Sequence, residues 1–209
     1  MNLRLARIEL GDVLVQVVAV ALGVVLGLGA TAWNERNHQR ALLRETVGNI
    51  AAELRSNQAG MRRVIAEHAK SASALAAFAG KAGKSMLVSR EQAKAILRPS
   101  RFSVNIPLAI AWQIAQNDQG LALLPYQDRY DLAWVYQVQT VYYDAERRYE
   151  NSILTIAEPA NGNYYLQIVD LANQEQAVVR IEHQLDSLYA AALRRAHSEF
   201  GVAAAGGGS

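Results

Sequence analysis

The hydrophobic and polar positions of the chain fall into two patterns, and the first is a single long apolar run. Residues 13–33 carry no charged side chain and are bracketed by Asp12 and Glu35. A helix needs about 20 predominantly apolar residues to cross the hydrocarbon core of a bilayer, and Trp33 lies where interfacial aromatic residues anchor such helices. The pattern predicts one retained transmembrane helix over residues 13–33, preceded by a flank of residues 1–12.

A secretory signal peptide is the alternative interpretation of this run. Arg4 and Arg7 resemble a positive n-region, and residues 30–32 (ATA) resemble a cleavage site. However, the apolar run is longer than the usual h-region of about 7–15 residues, and Glu9 and Asp12 add acidic charge to the flank. Both observations favour a transmembrane helix that stays in the protein.

Small residues recur along one face of the predicted span. Ala19, Gly23 and Gly27 repeat every four residues, and Gln16, Gly23 and Ala30 repeat every seven. Small residues on one face let helix backbones approach closely in lipid, and a glutamine there is less costly if it bonds a neighbouring copy. These five residues are therefore candidate packing or pore-lining positions of a self-associating span. The alternative is that glycine and alanine are simply frequent in membrane helices.

A polar segment follows the span at the expected membrane interface. Its first residues are Trp33, Asn34, Glu35 and Arg36, which we interpret as interface residues. Glu35 and His38 also have the Glu-x-x-His spacing of di-iron bundles, but those sites need a second such pair and two further glutamates. Interface polarity explains the pair better than a metal site does.

Beyond the interface, the apolar residues recur at spacings of three and four. This pattern predicts a long juxtamembrane helix over residues 34–80, with either one apolar face or a coiled-coil seam. Asn57 falls on the seam, where a buried polar residue can fix register. His68 also falls there and is interpreted as a partly buried seam residue and not as a ligand. The other seam positions are Leu43, Val47, Ile50, Leu54, Met61, Val64 and Leu75.

Shorter helices are predicted after this long one. Ser89 and Gln92 have the spacing of a capping box for a short helix that ends before Pro99. Pro107 suits the first turn of another helix, which contains Trp112. Residues 117–120 (NDQG) have turn chemistry.

Two long helices are predicted toward the C-terminus, separated by a break at residues 158–163. No alternation of apolar and polar residues indicates a strand. We therefore expect an all-α protein in which one transmembrane helix continues into a soluble helical bundle or coiled-coil-like body. The body includes a helical domain over residues 81–200, and residues 201–209 form a flexible tail or linker. Helical spacing is kept by Tyr130, Trp134, Val138, Val141, Ala145 and Tyr149, and later by Val178, Ile181, Leu185, Leu188 and Ala192.

Residues 78–85 (FAGKAGKS) end in the Gly-Lys-Ser of a Walker A motif. That motif needs a glycine five residues before Gly83, where this chain has Phe78, and it follows a strand. The preceding residues are rich in alanine and predicted to be helical, so Gly80 is interpreted as a helix stop. We expect no nucleotide hydrolysis at this segment.

The same region forms a basic segment in which Glu91 is the acidic exception. One interpretation is recognition of an anion such as a nucleotide or an oligonucleotide. The alternative is a solvated basic face or a contact with lipid headgroups. The candidate anion-binding residues are Lys81, Lys84, Arg90, Lys94, Arg98 and Arg101.

Composition narrows the function classes. The chain is 51% hydrophobic and 19% charged, with a net charge of +2 and no cysteine, which excludes disulfides, thiol catalysis and cysteine-ligated zinc. Glu182, His183 and Asp186 could share a helix face, which is interpreted as a solvated face. We therefore expect no enzyme activity, no catalytic residue, no metal site and no cofactor.

Arginines flank both ends of the span in nearly equal numbers, so the positive-inside rule does not decide the orientation of the span in the membrane. The lack of cysteine favours a cytoplasmic location for the body.

Two stretches resemble a widespread family of small, largely uncharacterised bacterial proteins. Those proteins have one N-terminal span that ends in a Trp-Asn-Glu-type motif and a helical soluble part. The resemblance covers residues 10–57 and 108–148; it implies this topology and brings no catalytic residues with it. The residues that carry it are Trp33, Asn34, Glu35, Arg36, Leu43, Ile50, Glu53 and Leu54 in the first stretch, and Ala111, Trp112, Gln113 and residues 119–124 in the second.

The chain combines one span that has small-residue packing with an all-helical body. This architecture is also similar to that of membrane effectors of bacterial anti-phage systems, in particular the Hailong-type channel subunit. This likeness implies a homo-oligomer, for example a tetramer, in the bacterial inner membrane. Its partners would be the lipid bilayer and a nucleotide or single-stranded oligonucleotide made by a partner enzyme. We expect an ion channel or membrane-perturbing effector that this ligand gates, and the alternative is a membrane-anchored scaffold or sensor without a pore.

Overall fold

The computed structural model describes residues 10–81, 86–97, 105–154 and 161–202. These residues form helices and connecting turns, and no β-strand occurs within the four described ranges. The expected all-α fold is therefore confirmed. The helices are α1 (Leu10–Lys81), α2 (Arg90–Leu97), α3 (Ile110–Gln116), α4 (Gln119–Ala122), α5 (Tyr126–Leu154) and α6 (Tyr165–Phe200).

Helix α1 joins the apolar N-terminal run to the rest of the molecule without a break. It contains 72 residues, which at 1.5 Å per residue gives a length of about 108 Å. Its N-terminal part is long and apolar enough to cross a membrane, and none of that part is buried within the chain. The predicted span is thus one end of a helix whose other end belongs to the body.

The body is built on three long helices. α6 packs against both α1 and α5, while the short helices α3 and α4 pack against α1. The expected seam of α1 is confirmed, because Ile50, Leu54 and Met61 are at most 2% exposed and lie in the main hydrophobic core. Residues 34–80 and 81–200, which the sequence analysis separates, therefore share one core.

Two polar residues on the seam of α1 attach the segment before α3. The Asn57 side chain donates to the Leu108 carbonyl at 2.7 Å, and its oxygen accepts from the Leu108 amide at 2.8 Å. Glu53 accepts from the Ala111 amide and from the Tyr136 hydroxyl, each at 2.8 Å. Asn57 is therefore a buried seam residue as expected, and it pairs with backbone from a distant part of the chain.

The two stretches on which the family resemblance rests lie against each other. Trp112 stacks on Tyr136 with ring centroids 5.0 Å apart, and Tyr136 bonds Glu53 of α1. Gly120 of α4 packs so closely on α1 that an added Cβ would collide with the Thr46 side chain. Glycine is required here because only a missing side chain allows this approach.

At the end of the body that lies farthest from the span, one asparagine bonds to three backbone groups. The Asn163 side-chain oxygen accepts from the amides of Val88 and Tyr165, at 3.0 and 3.1 Å, and its nitrogen donates to the Met86 carbonyl. The expected capping box of α2 is also present, because Ser89 and Gln92 bond each other's backbone amides at 2.9 and 3.2 Å.

Three predicted details differ from the structure. On α5, Val138, Ala145 and Tyr149 are buried, but Tyr130, Trp134 and Val141 are 44–55% exposed, because the buried face of this helix also runs through Tyr142. Both faces are rich in aromatic residues, so spacing alone did not distinguish them. The other two differences concern boundaries.

Helix α3 begins at Ile110 with Ala109 as its N-cap residue, so Pro107 precedes the helix and does not lie in its first turn. At the C-terminus, Gly201 caps α6 in the left-handed conformation, with φ of 63°. Val202 packs on a small second core beside Phe200. The expected tail therefore starts after these residues, and residues 203–209 lie outside the described ranges.

Candidate functional site: a buried glutamate–histidine cluster

The candidate packing residues of the span lie on the exposed surface of α1. Gln16, Ala19, Gly23, Gly27 and Ala30 are all exposed. A Cβ added at Gly23 or Gly27 would meet no atom within 4 Å. Nothing in the described part of the chain therefore fills this face.

The interface residues form the first part of an exposed stretch of helix. Trp33 is 68% exposed, and Asn34, Glu35 and Arg36 are exposed as well. The Glu35 carboxylate accepts a bond from the Gln39 amide at 2.8 Å. Buried positions of α1 start at Thr46, so a short exposed segment of helix separates the span from the body.

The basic segment lies at the opposite end of α1 from the span. Residues 78–81 are helical, which removes the strand-to-loop entry that a Walker A motif requires. Lys81, Arg90 and Lys94 are exposed, while Lys84, Arg98 and Arg101 lie outside the described residues. Lys81 is about 72 Å from Trp33 along the helix axis, so this end of the described basic segment lies far from the apolar run.

A different set of residues forms the most unusual polar site in the described structure. We call it the Glu/His cluster, and its members are His68 of α1, Glu146 of α5, and Glu175 and Glu182 of α6. The imidazole Nδ1 of His68 lies 2.6 Å from Glu182 Oε1 and 3.5 Å from Glu146 Oε1. Single ligand atoms from these three residues all lie within 4.8 Å of one another.

The three long helices place these side chains together. His68 lies on the α1 seam between Val64 and Leu75, both of which are buried. Glu182 lies on the buried face of α6, between Val178 and Leu185. Because these faces pack against each other, the Glu182 side chain is 0% exposed, while the His68 side chain is 12% exposed.

Hydrogen bonds satisfy only part of the cluster. The Tyr142 hydroxyl donates to Glu146 Oε1 at 3.1 Å, and Glu182 Oε1 accepts from His68. The second carboxylate oxygens, Glu175 Oε2 and Glu182 Oε2, are buried and have no hydrogen-bond partner among the described residues. A buried carboxylate oxygen without a partner is costly, so each of these atoms needs an explanation.

The electrostatics of the cluster are dominated by burial and by like charge. Burial raises the pKa of Glu146, against the lowering effects of His68 and of the Tyr142 hydrogen bond. Burial likewise raises the pKa of Glu175, opposed by hydrogen bonds from Ser71 and Tyr149 and by His68. Burial lowers the pKa of His68, but the hydrogen bond to Glu182 and the three carboxylates together raise it above its usual value. These shifts favour the protonated forms of His68, Glu146 and Glu175.

The interpretation of Glu182 as part of a solvated face is wrong. Glu182 is completely buried, whereas its neighbour His183 is exposed and Asp186 pairs with Arg62 on the surface. A sequence signal was present: Glu175 and Glu182 stand at core spacing beside Val178. Glutamate at a core position of an amphipathic helix indicates a buried partner, because unpaired buried charge is strongly unfavourable.

The arrangement offers one imidazole nitrogen and several carboxylate oxygens. Imidazole and carboxylate are common ligands of divalent transition metals, and helical bundles hold such ligands on facing helices. Comparison with known proteins identifies no relative, since no protein-family model, curated protein or solved structure matches the chain.

Proposed function

We propose that the protein is a homo-oligomeric, single-pass membrane protein whose helical body controls how its transmembrane helices pack together. The supporting feature is α1, which runs from the exposed apolar end to the core of the body without interruption. A rotation or shift of α1 in the body therefore moves the span as well. We place the span in the bacterial inner membrane and the body in the cytoplasm.

The observation that carries this proposal is a stripe of small residues on α1. With 3.6 residues per turn, successive side chains are about 100° apart. On this geometry a heptad-like series of small residues in the body points within about 20° of the direction of Gly23. All of them are exposed except Gly48, which is half-buried. The series continues the span's own small-residue face, and its members are Ala41, Gly48, Ala52, Ala59 and Ala66.

This stripe lies on the opposite side of α1 from the buried seam. Ile50 and Met61 point about 180–200° away from Gly23 and are buried in the core, whereas Ala52, Ala59 and Ala66 are exposed. A second copy of α1 can therefore pack along the stripe without displacing any core contact. Small side chains allow close packing in the membrane and also in the body.

Disulfide cross-linking tests the proposal directly, because the chain contains no cysteine. Ala52→Cys and Ala59→Cys, each introduced alone, should form disulfide-linked dimers in oxidised membranes. Cross-linking needs Cα atoms within about 7 Å of each other, which the proposed α1–α1 contact provides. Asn49→Cys is the matched control, since Asn49 is exposed but points about 80° away from the stripe.

The expected result is efficient dimer formation at Ala52 and Ala59 and little at Asn49. Equal cross-linking at all three positions would indicate random collision and would remove the stripe as an interface. Absence of cross-linking at the two alanines, with the protein correctly inserted, would contradict self-association through α1.

A pore-forming effector is a second candidate function, favoured by the position of Gln16. This exposed amide points about 20° from Gly23, so copies that pack through the stripe bring their glutamines together inside the bilayer. Polar groups in such positions often mark ion pathways. The exposed cations Lys81, Arg90 and Lys94 then provide a surface where an anionic nucleotide or oligonucleotide could act, at the end of α1 remote from the membrane.

A further inference from the structure

The Glu/His cluster contains more buried negative charge than its own residues neutralise. Glu146, Glu175 and Glu182 are 4%, 1% and 0% exposed, and the ion pairs of Glu146 and Glu182 in the described structure are with His68. A protonated His68 supplies one positive charge against three carboxylates. Buried carboxylates require a partner of opposite charge, a proton or a metal ion.

Two carboxylate oxygens also lack any hydrogen bond. Glu182 Oε2 and Glu175 Oε2 are buried without a partner in the described part of the chain, and both side chains are at least nine-tenths buried. A proton-sharing network would be expected to place a donor at each of these atoms. Their free lone pairs point to a ligand that accepts electron pairs.

From this geometry we infer that the Glu/His cluster binds one divalent first-row transition-metal ion. The ligands are the imidazole Nδ1 of His68 and one carboxylate oxygen each from Glu146 and Glu182, with Glu175 as the additional nearby negative charge. A bound ion would join α1, α5 and α6 at a single point. The inference goes beyond the proposed function, because it concerns the body alone and does not depend on how the span assembles.

The distances fit this assignment. Ligand atoms bound at about 2.0–2.2 Å from a metal lie roughly 3.0–3.5 Å from one another. His68 Nδ1 and Glu146 Oε1 are already 3.5 Å apart, and the three possible ligand atoms lie within 4.8 Å. The 2.6 Å contact between His68 and Glu182 would have to lengthen by about half an ångström to one, as two metal bonds replace one hydrogen bond.

The ligand types narrow the choice of ion. Imidazole favours zinc, iron and the other later transition metals, whereas carboxylates also suit manganese and magnesium. Mg²⁺ prefers oxygen ligands and keeps most of its water, which suits a buried site containing a histidine poorly. Zn²⁺ and Mn²⁺ are therefore the probes, with Mg²⁺ as the comparison ion. Access is available from the His68 side, which retains 12% exposure.

The test uses the full chain in detergent micelles after treatment with a chelator. Titration with Zn²⁺ and Mn²⁺ should show one ion bound per chain for at least one of them. When the free metal-ion concentration is about a hundred times the dissociation constant, Tm should rise by roughly 5 °C or more. Mg²⁺ should produce at least a tenfold weaker response. A wild-type protein that binds neither Zn²⁺ nor Mn²⁺ would overturn the inference.

Glu182→Gln and Glu146→Gln locate the site. Each should weaken binding at least tenfold, while the metal-free variant remains folded because glutamine keeps the shape and removes buried charge. Asp186→Asn is the matched control: it lies one turn further along α6, makes the same charge change and pairs with Arg62 outside the cluster. His183→Ala controls for binding by an exposed histidine.

The outcomes separate the alternatives. Loss of binding in both glutamine variants with retention in Asp186→Asn and His183→Ala supports the assignment. Binding that survives both glutamine substitutions, or that is lost on His183→Ala, places the ion elsewhere and contradicts it. If one glutamine variant does not fold, the metal binding of the other variant and the number of ions bound per wild-type chain decide whether the cluster is the metal site. The cross-linking result at Ala52 and Ala59 has no bearing on this measurement, so either hypothesis can fail alone.

Discussion

At the scale of single residues, the polar side chains inside the seam of α1 decide how the short helices attach. Asn57 is 4% exposed and bonds both backbone groups of Leu108. An apolar residue at this position would bury more hydrophobic surface but would leave the Leu108 amide and carbonyl without partners. The cost of unsatisfied backbone groups exceeds that gain, which explains why an otherwise apolar seam contains an asparagine.

Asn57→Ala should therefore destabilise the body by about 1–3 kcal/mol, the usual cost of leaving a buried polar group unpaired. Chemical denaturation of the protein in detergent, followed by the tryptophan fluorescence that includes Trp112, measures the change. Ser56→Ala is the control: Ser56 is the exposed neighbour, and surface substitutions of this kind stay within about 0.5 kcal/mol. Equal stability of the Asn57→Ala and Ser56→Ala proteins would show that the Leu108 contact is not formed.

The capping box of α2 shows which residue contacts can be predicted from the sequence. Ser89 and Gln92 are three positions apart and bond each other's backbone amides. Their pairing depends only on the local helix geometry, which the residue types specify. The bond between Asn57 and Leu108 spans 51 positions, so the same reasoning placed Asn57 on the seam but did not identify its partner.

At the scale of elements, α1 has two opposite faces with separate roles. Its seam forms the core with α6 and α5, and its small-residue face is open from the span into the body. The absence of any atom within 4 Å of a Cβ at Gly23, Gly27 or Gly29 makes the span suitable for a clean test. Because a Cβ at these glycines meets no atom of the described residues, we expect the effect of a larger side chain to report on contacts between chains.

Gly23→Leu combined with Gly27→Leu should weaken self-association, because leucine side chains hold the helix backbones apart. Cross-linking at Ala52→Cys should fall several-fold in this background, and the mass of the detergent-solubilised oligomer should decrease. Gly29→Leu is the matched control, since Gly29 is equally open but points about 120° away from Gly23. An unchanged oligomer in the double variant would remove the span's small residues from the interface.

The contrast between α5 and α6 shows how far helix patterns predict burial. On α6 the expected face is confirmed, since Val178 and Leu185 are at most 1% exposed. On α5, Tyr136 and Tyr142 are buried while Tyr130 and Tyr143 are exposed. A tyrosine is suited to either environment because it combines an apolar ring with a polar hydroxyl, and the partner helices determine which ones are enclosed.

At the scale of the whole molecule, one continuous helix connects three regions that lie far apart. The span, the Glu/His cluster and the start of the basic segment all lie along α1, over an axial length of about 100 Å. Because the cluster joins α1 to α5 and α6, the state of its carboxylates affects how firmly α1 is held in the body. Under the proposed function, a ligand, an ion or a proton bound in the body would in this way affect the packing of the span.

Gln16→Leu distinguishes a pore-forming protein from a membrane-anchored protein without a pore. If the oligomer conducts ions, expression of the wild-type protein should depolarise the bacterial membrane, and the leucine variant should lose most of this effect because the polar lining is removed. Oligomer mass serves as the control and should persist, since the small residues are unchanged. A wild-type protein that leaves the membrane potential intact would exclude the pore and favour a membrane-anchored sensor.

The sequence by itself determined the apolar span, the seam of α1, the capping box and the helices other than α4, because each depends on spacing within one segment. Helix α4 begins at Gln119, inside the turn predicted at residues 117–120. The length of an uncharged apolar run predicts a membrane helix, and the spacing of apolar residues predicts which face of a helix is buried. The sequence also placed Asn57 and His68 on that face. These predictions succeeded where a single helix contains all the information required.

Only the tertiary structure decided which polar residues meet. The pairing of His68 with Glu182 joins residues 114 positions apart, and no local pattern encodes that contact. A charged residue is normally solvated, so Glu182 was expected on the surface; its burial is made possible by His68, which α1 places within hydrogen-bond distance of it. Burial of an ionisable group depends on partners from other helices, and those partners are set by how the helices pack.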